Sequence, residues 1–397
     1  IAGVPCGITI CEDIWEDEGP LHLHCERGAQ VIITLNASPF HAGKMKERER
    51  IIRDQARSNK VHLAYVNLVG GQDELVFDGN SMIINPQGIV ISRASSFKED
   101  VLTVDLNDKS GTVIYDPPDP VEEIYDALSL GLCDYFLKNG FKKALVGLSG
   151  GVDSALVATI AADALGKDNI TGVFMPSRFS SQESLEDAKS LASNLGISFK
   201  TIAVDDIFSL YLQTLAPQFN DAPPNIAEEN LQARIRGNLL MALSNKFGWI
   251  VLTTGNKSEM STGYATLYGD MAGGFALIKD VPKMLVYDLC RWRNKQEKVI
   301  PDRVLTKAPT AELRENQKDS DSLPEYPVLD PILKLYIEQD ASASEILAHG
   351  FKEADVERVM RLVDLSEYKR RQAPPGVKIT PKAFGRDRRM PITNRYR

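Results

Sequence analysis

The sequence predicts an α/β protein of two domains, the second built on a doubly wound parallel sheet, and three observations carry that prediction. The chain has 397 residues, 43% hydrophobic and 25% charged, enough for two cores at roughly 100 to 200 residues per domain. Beyond residue 120, short apolar runs alternate with helical stretches, the rhythm of a parallel sheet covered on both faces. Residues 7 to 93 instead set several apolar runs around one charged helix, a layered α/β or α+β pattern.

In the first region the strands are "ITICED", "VIITLNAS" and "VHLAYVNLVGG", the helix is "KMKERERIIRDQARSNK", and "NSMIINPQGIVISRA" is a hairpin turning at "NPQG". "HLHC", residues 22 to 25, reads as one side of a helix, since zinc would require a second ligand pair. Residues 94 to 120, with "SSFKED" and "YDPPDP", are polar and turn-rich and form a linker. The boundary falls near Asp116, giving domains 1–115 and 116–397. The second domain then runs helix 121–138, strand "ALVGLS", helix 154–165, strand "ITGVFMP", helix 182–195, strand "FKTIAVD", helix 228–246 and strand "WIVLTTGN". Ligands of such sheets bind outside the carboxyl ends of the strands, where the polar loops of this domain lie.

A net charge of −8 argues against general nucleic-acid or membrane-surface binding, which relies on excess Lys and Arg. No apolar run approaches the ~20 residues of a membrane span and no signal peptide is recognisable, so a cytoplasmic location is expected. The five cysteines are scattered without a CxxC pair, which predicts neither a disulfide framework nor a zinc ribbon. The chain opens on Ile1, and an upstream portion is expected.

"GLSGGVDS" sits where strand passes into helix, so backbone N–H groups and the positive helix end converge on one spot. It lacks the GxxxxGK[ST] and GxGxxG spacings, so it is an anion cradle of another kind. The same glycines would also serve a plain capped turn, with Asp153 or Ser154 as the cap. A carboxylate beside bound phosphate is useful when magnesium lies between the like charges, the role this places on Asp153. Cys11, at the end of "GITIC", could be a nucleophile or a small buried hydrophobe. An ordinary thiol is only a few per cent ionised at neutral pH, and the adjacent Glu12 and Asp13 would oppose ionisation, so an activating group must come from elsewhere.

The "SGGVDS" string resembles the signature of the ATP-pyrophosphatase (PP-loop) superfamily, whose members adenylate a carbonyl-type oxygen and let a nitrogen or sulfur nucleophile displace AMP. With "TTGNKSEMSTGYATLYGD", "EENLQARIRGNLLMAL", "KDVPKMLVYDLCRW" and "KAFGRDRRMPI", residues 120 to 397 resemble the NAD synthetase family. The resemblance implies an adenine-nucleotide-hydrolase-like sheet, a ligase acting on ATP and deamido-NAD+, Mg2+, and a homo-oligomer. It places ATP on Gly147, Leu148, Ser149, Gly150, Gly151, Val152, Asp153, Ser154, Thr254, Lys283 and Thr310, and the metal on Asp153 and Glu259. Arg234, Glu259, Lys382 and Arg386 match contacts to deamido-NAD+. "GITICEDIW" resembles the cysteine motif of the nitrilase, or carbon–nitrogen hydrolase, superfamily. That likeness implies a nitrilase-like α/β sandwich portion and a catalytic Cys11, with a partner Glu and Lys expected upstream. "NASPFHAGK" resembles a glutamine-binding segment, with Ser38 and Lys44 at the contact positions. Alternatives are another PP-loop ligase, an ammonia-only NAD synthetase with an inactive amidase segment, or a non-catalytic nucleotide-binding module.

Overall fold

The computed structural model describes residues 1–106 and 119–393, and the sequence boundary between residues 115 and 116 lies outside them. By internal contacts the chain divides into two units, Ile1–Asp134 and Tyr135–Arg397. In the first, β1 (Cys6–Ile10), α1 (Pro20–Glu26), β2 (Val31–Asn36), α2 (Lys44–Asn59) and β3 (His62–Asn67) precede a hairpin of β4 (Val69–Gln72) and β5 (Leu75–Asp78) and a pair, β6 (Met82–Ile84) and β7 (Val90–Arg93). The sheet order is β1-β2-β3-β6-β7; the first three strands pair in parallel and the rest antiparallel.

Strand alternation buries Ile32, Leu63, Met82 and Ile84 in one core with Ile52 and Ala56 of α2. The "NPQG" turn closes as expected, with the Gly88 N–H donating to the Asn85 carbonyl at 2.9 Å. The β4–β5 hairpin departs from the sequence reading, which ran "VHLAYVNLVGG" as one strand. That run instead divides at Leu68 into β3 and β4, which lie in different sheets, and β4 pairs antiparallel with β5 across a turn with Asp73 at φ +55°.

α3 (Pro120–Asn139) begins in the first unit and ends in the second, where Tyr135 stacks on Phe275 with ring centroids 4.2 Å apart. There follow β8 (Ala144–Gly147), α4 (Val152–Leu165), β9 (Ile170–Phe174), α5 (Gln182–Leu195), β10 (Ser198–Thr201), α6 (Asp205–Phe219), α7 (Ile226–Phe247) and β11 (Ile250–Leu252). All pairings are parallel, in the order β10-β9-β8-β11. The chain therefore winds outward from β8 to β10, then returns to place β11 on the other flank of β8. That reversal makes the carboxyl ends of β8 and β11 a topological switch point, where a crevice opens. α4 is apolar on every side and buried from Val152 to Ala162 apart from Asp153, as befits a helix between the sheet and further helices. α6 was not read from the sequence, because Pro217 in its last turn and the following "DAPPN" masked it.

α8 (Lys257–Thr262), α9 (Lys283–Gln296) and α10 (Asp302–Thr306) lead to α11 (Tyr326–Leu333), α12 (Ala343–Ala348), α13 (Glu353–Leu365) and α14 (Glu367–Arg370). Leu329, Ile332, Ile346, Val359 and Val363 form a separate core under α8. The basic tail folds back onto this region: Asp280 accepts the N–H groups of Ile379 and Thr380, each at 2.8 Å. Among the described residues no helix is long and apolar enough to cross a membrane.

Candidate active sites

In the second unit the glycine loop has the geometry of a phosphate cradle. Gly150 takes φ +80°, and a Cβ there would lie 2.6 Å from the Ser184 carbonyl oxygen, so the position excludes side chains. Ser154 fastens the loop: its hydroxyl donates to the Gly151 carbonyl at 3.0 Å and accepts from the Ser149 N–H at 3.2 Å. The side chains thus hold the loop's shape, while the first amides of α4, which have no acceptor within their own helix, are suited to an anion.

Beside the loop, charges converge from distant segments. Asn256 caps α8, accepting the Glu259 N–H at 3.0 Å, and its amide donates to the Asp153 carboxylate at 2.9 Å. The buried Lys283 ammonium pairs with Asp153 and lies 3.7 Å from Glu259. Burial and the neighbouring Asp153 push the Glu259 carboxyl up, to about 8, against the pull of Lys283. Burial disfavours the Lys283 cation, but Asp153 and Glu259 outweigh it and hold the ammonium above its ordinary range.

A cavity of about 300 Å³ joins these groups. It gathers Gly147, Leu148, Ser149, Gly150, Gly151, Val152, Asp153, Ser154, Thr254, Glu259, Lys283 and Thr310, residues singled out in the sequence. Arg234 is elsewhere: it lines a second hollow with Tyr211, Asn238, Tyr268 and Gln372, and its Nε donates to the Leu267 carbonyl at 3.2 Å. Lys382 pairs with Asp340, and Arg386 stands exposed in a turn; neither lines the cavity.

The sequence reading missed several lining residues. Arg236, two residues from Arg234, turns inward to Met175 and Ser177; burial lowers its guanidinium to about 10, so it stays cationic at neutral pH. Glu312 takes φ +49° and accepts from Ser181, Ser184 and Lys307 at 2.8 to 2.9 Å. "IRG" and "TKAPTAEL" held the only local signal, a charge next to a motif residue. Outside the cavity lining, Lys257, read only as part of "NKSE", is buried with Asp280 at 3.1 Å, Glu338 at 2.8 Å and the Thr380 hydroxyl at 2.6 Å.

In the first unit Cys11 directly follows β1 with φ +43°, a left-handed conformation that a residue with a Cβ adopts at a cost of about 1–2 kcal/mol. A short 3-10 turn, Cys11–Ile14, follows, and Asp13 is spent on it, accepting the Ile10 N–H at 2.8 Å. Lys44 lies over the Trp15 ring at 4.1 Å from its centroid and pairs with Glu47 at 2.9 Å, so "EDIW" and "NASPFHAGK" meet in space. Ser38 is buried in the loop after β2, next to the Arg48–Asp78 ion pair. Burial pushes the Tyr65 hydroxyl up, with Arg48, Ser38, Asp78 and Cys11 as its charged or polar neighbours. In "HLHC", His22 faces Asn59 at 3.2 Å and His24 faces the Ile8 carbonyl at 3.1 Å.

The second unit is thus a PP-loop α/β domain, and the first is a nitrilase-like α/β portion. Comparison with known proteins agrees: the NAD synthase model matches residues 124–373 and the carbon-nitrogen hydrolase model residues 2–115. The chain belongs to the NAD synthase family. It is 50% identical to a glutamine-dependent NAD(+) synthetase of Thermotoga maritima, covering 100% of this chain and 76% of that protein. A protein of the same description from Synechocystis is 49% identical, covering 99% and 73%. Among solved structures, the glutamine-dependent NAD+ synthetase of Acinetobacter baumannii in complex with ADP superposes with TM-score 0.75 at 44% identity, over 99% of this chain and 73% of that one.

Proposed function

We propose that the protein makes NAD+ from deamido-NAD+, ATP and glutamine, releasing AMP, pyrophosphate and glutamate. The observation that carries the synthetase half is the cavity that gathers Asp153, Glu259, Lys283, Thr254 and Thr310 around the glycine loop at the switch point. A pyridine carboxylate oxygen bonds to the α-phosphorus of ATP as the bond to the bridging oxygen breaks and pyrophosphate departs. Ammonia then bonds to the acyl carbon, AMP leaves with the acyl–oxygen electron pair, and the nitrogen loses a proton.

The loop amides hold phosphate oxygens, and Arg236 and Lys307 supply positive charge along the same wall. Asp153 and Glu259 already share one cation, the Lys283 ammonium, which suits them to the magnesium that accompanies ATP. Such an ion keeps phosphate and water among its ligands, so two carboxylates suffice; among the described residues no group of three or more His, Cys, Asp or Glu is placed to hold a metal alone. When bound, magnesium offsets the phosphate charge. Arg234, in its separate hollow, is the candidate contact for the anionic dinucleotide.

In the first unit the Cys11 sulfur attacks the side-chain amide carbon of glutamine, ammonia leaves, and water releases glutamate from the thioester. Ser38 and Lys44 hold the substrate. The left-handed turn supports this role for Cys11, because strain of that kind collects where a side chain must be aimed. The test is AMP and pyrophosphate formation with ATP, deamido-NAD+ and ammonium chloride; nucleotide binding without turnover would instead favour a non-catalytic module.

A further inference from the structure

We propose that Arg48 is a positioning residue that turns the Ser38 hydroxyl into a hydrogen-bond donor for the α-carboxylate of the amide donor. The proposal rests on the glutaminase reading above and adds which atom of the substrate Ser38 meets, and why.

Arg48 lies on the core-facing side of α2, in register with Met45 and Ile52, and is 1% exposed. A charge so placed is tolerated only when all of its donors are paired. They are: Nη1 reaches both Asp78 oxygens at 2.7 and 2.8 Å, Nη2 reaches the Ser38 and Pro39 carbonyls at 3.0 and 3.1 Å, and Nε reaches Ser38 Oγ at 3.0 Å. Asp78 is itself held, accepting from Asn80 at 2.8 Å, and Asn80 accepts from Ser96 at 2.9 Å.

A guanidinium can only donate, so Ser38 Oγ must be the acceptor in that bond and its own proton points elsewhere. The loop cannot turn to reuse it, because the Ser38 N–H is taken by Asn67 at 3.0 Å and its carbonyl by Arg48. The Tyr65 hydroxyl, buried close by, has no partner at hydrogen-bond geometry among the described residues, although Ser38 is near enough to influence it. Ser38 therefore has an O–H left to give to an accepting group. A carboxylate is such a group, and the Lys44 ammonium, six residues on, supplies the matching charge. The Arg48 charge is itself neutralised by Asp78, so its effect on substrate passes through the polarity of Ser38 rather than through attraction.

The experiment uses the full-length protein with L-glutamine and with L-glutamine α-amide, which keeps the side-chain amide but lacks the carboxylate. Ammonia release is followed for wild type, Arg48→Lys and Ser38→Ala, with NAD+ formation from ammonium chloride as the internal control. Wild type prefers glutamine. Each variant raises the glutamine KM by about 10- to 100-fold, the cost of losing a hydrogen bond to a charged group, and changes the α-amide KM by no more than about threefold. The rate with ammonium chloride normalises each variant for the amount of folded enzyme. An Arg48→Lys enzyme that keeps the wild-type preference, or that weakens both donors alike, overturns the proposal. Where that variant fails to fold, Ser38→Ala decides: full retention of the preference overturns it. An unchanged glutamine-driven rate in Cys11→Ala is a separate result, which removes the glutaminase reading and this proposal with it.

Discussion

Gly150→Ala isolates the phosphate loop. The added methyl would lie 2.6 Å from the Ser184 carbonyl oxygen and 2.7 Å from its Cα, about 1 Å inside comfortable contact. Ser184 cannot easily yield, since its N–H is held by the Ser181 cap at 3.2 Å and its hydroxyl by Glu312 at 2.8 Å. The loop must therefore move by most of that distance, carrying its amides with it. A misplacement of about 1 Å at a reacting group costs on the order of 100-fold, so kcat/KM for ATP should fall about that far. The φ of +80° adds about 1–2 kcal/mol of backbone strain. Gly140→Ala is the control: it shares a positive φ, +73°, but its methyl would meet nothing within 4 Å among the described residues. That variant should lose about 1 kcal/mol of stability while kcat/KM stays within about twofold of wild type. AMP formation at saturating deamido-NAD+ and ammonium chloride measures both. A Gly150→Ala enzyme of wild-type efficiency, or a Gly140→Ala enzyme equally impaired, refutes the reasoning.

Cys11→Ala should abolish glutamine-driven NAD+ formation and spare the reaction with ammonium chloride, as followed by NAD+ production from each donor. Lys257→Met leaves Asp280 and Glu338 buried without their cation; breaking such a pair costs about 3–5 kcal/mol, a fall in Tm on the order of 10 °C, and an unchanged melt would show the pairing to be dispensable. Glu123 carries a pH dependence: burial, with Asp78 adding and Arg48 opposing, pushes its carboxyl from 4.5 to about 7. The folded chain then holds an extra proton between those values, so stability falls as pH rises through that window and is lowest above 7. The 2.5 pH units (7 − 4.5) correspond to about 3 kcal/mol at full ionisation. Glu123→Gln should therefore stabilise by up to about 3 kcal/mol at pH 8 and little near pH 4.5 in urea melts of the two proteins; equal gains at both pH values would contradict it.

Much of the synthetase site was legible because its signal is local. "SGGVDS" carries the glycine that only a left-handed turn demands, and the strand and helix that frame it have their own periodicity. Arg48 was legible in principle: the buried face of α2 runs 45, 48, 52, 55 and 56, and an arginine at a core position signals a buried partner. That the partner is Asp78, thirty residues on, was not. The tail gave less: Lys382 and Arg386 were matched to dinucleotide contacts by resemblance alone, and in the fold Lys382 is engaged by Asp340 while Arg386 lies in an exposed turn.

The sequence alone determined most strands and helices of the two sheets, the alternation that makes the second sheet parallel, and the left-handed glycine of the phosphate loop, because each depends on dihedral preferences and side-chain periods of residues adjacent in the chain. Tertiary structure alone decided which charges meet. Asp153, Asn256, Glu259 and Lys283 come together only because β11 returns to the far side of β8, and Ser38 is polarised only because α2 packs an arginine under it. Coulombic and hydrogen-bond contacts act over a few ångströms regardless of chain separation, so strand order and helix packing, rather than spacing along the chain, assign the partners.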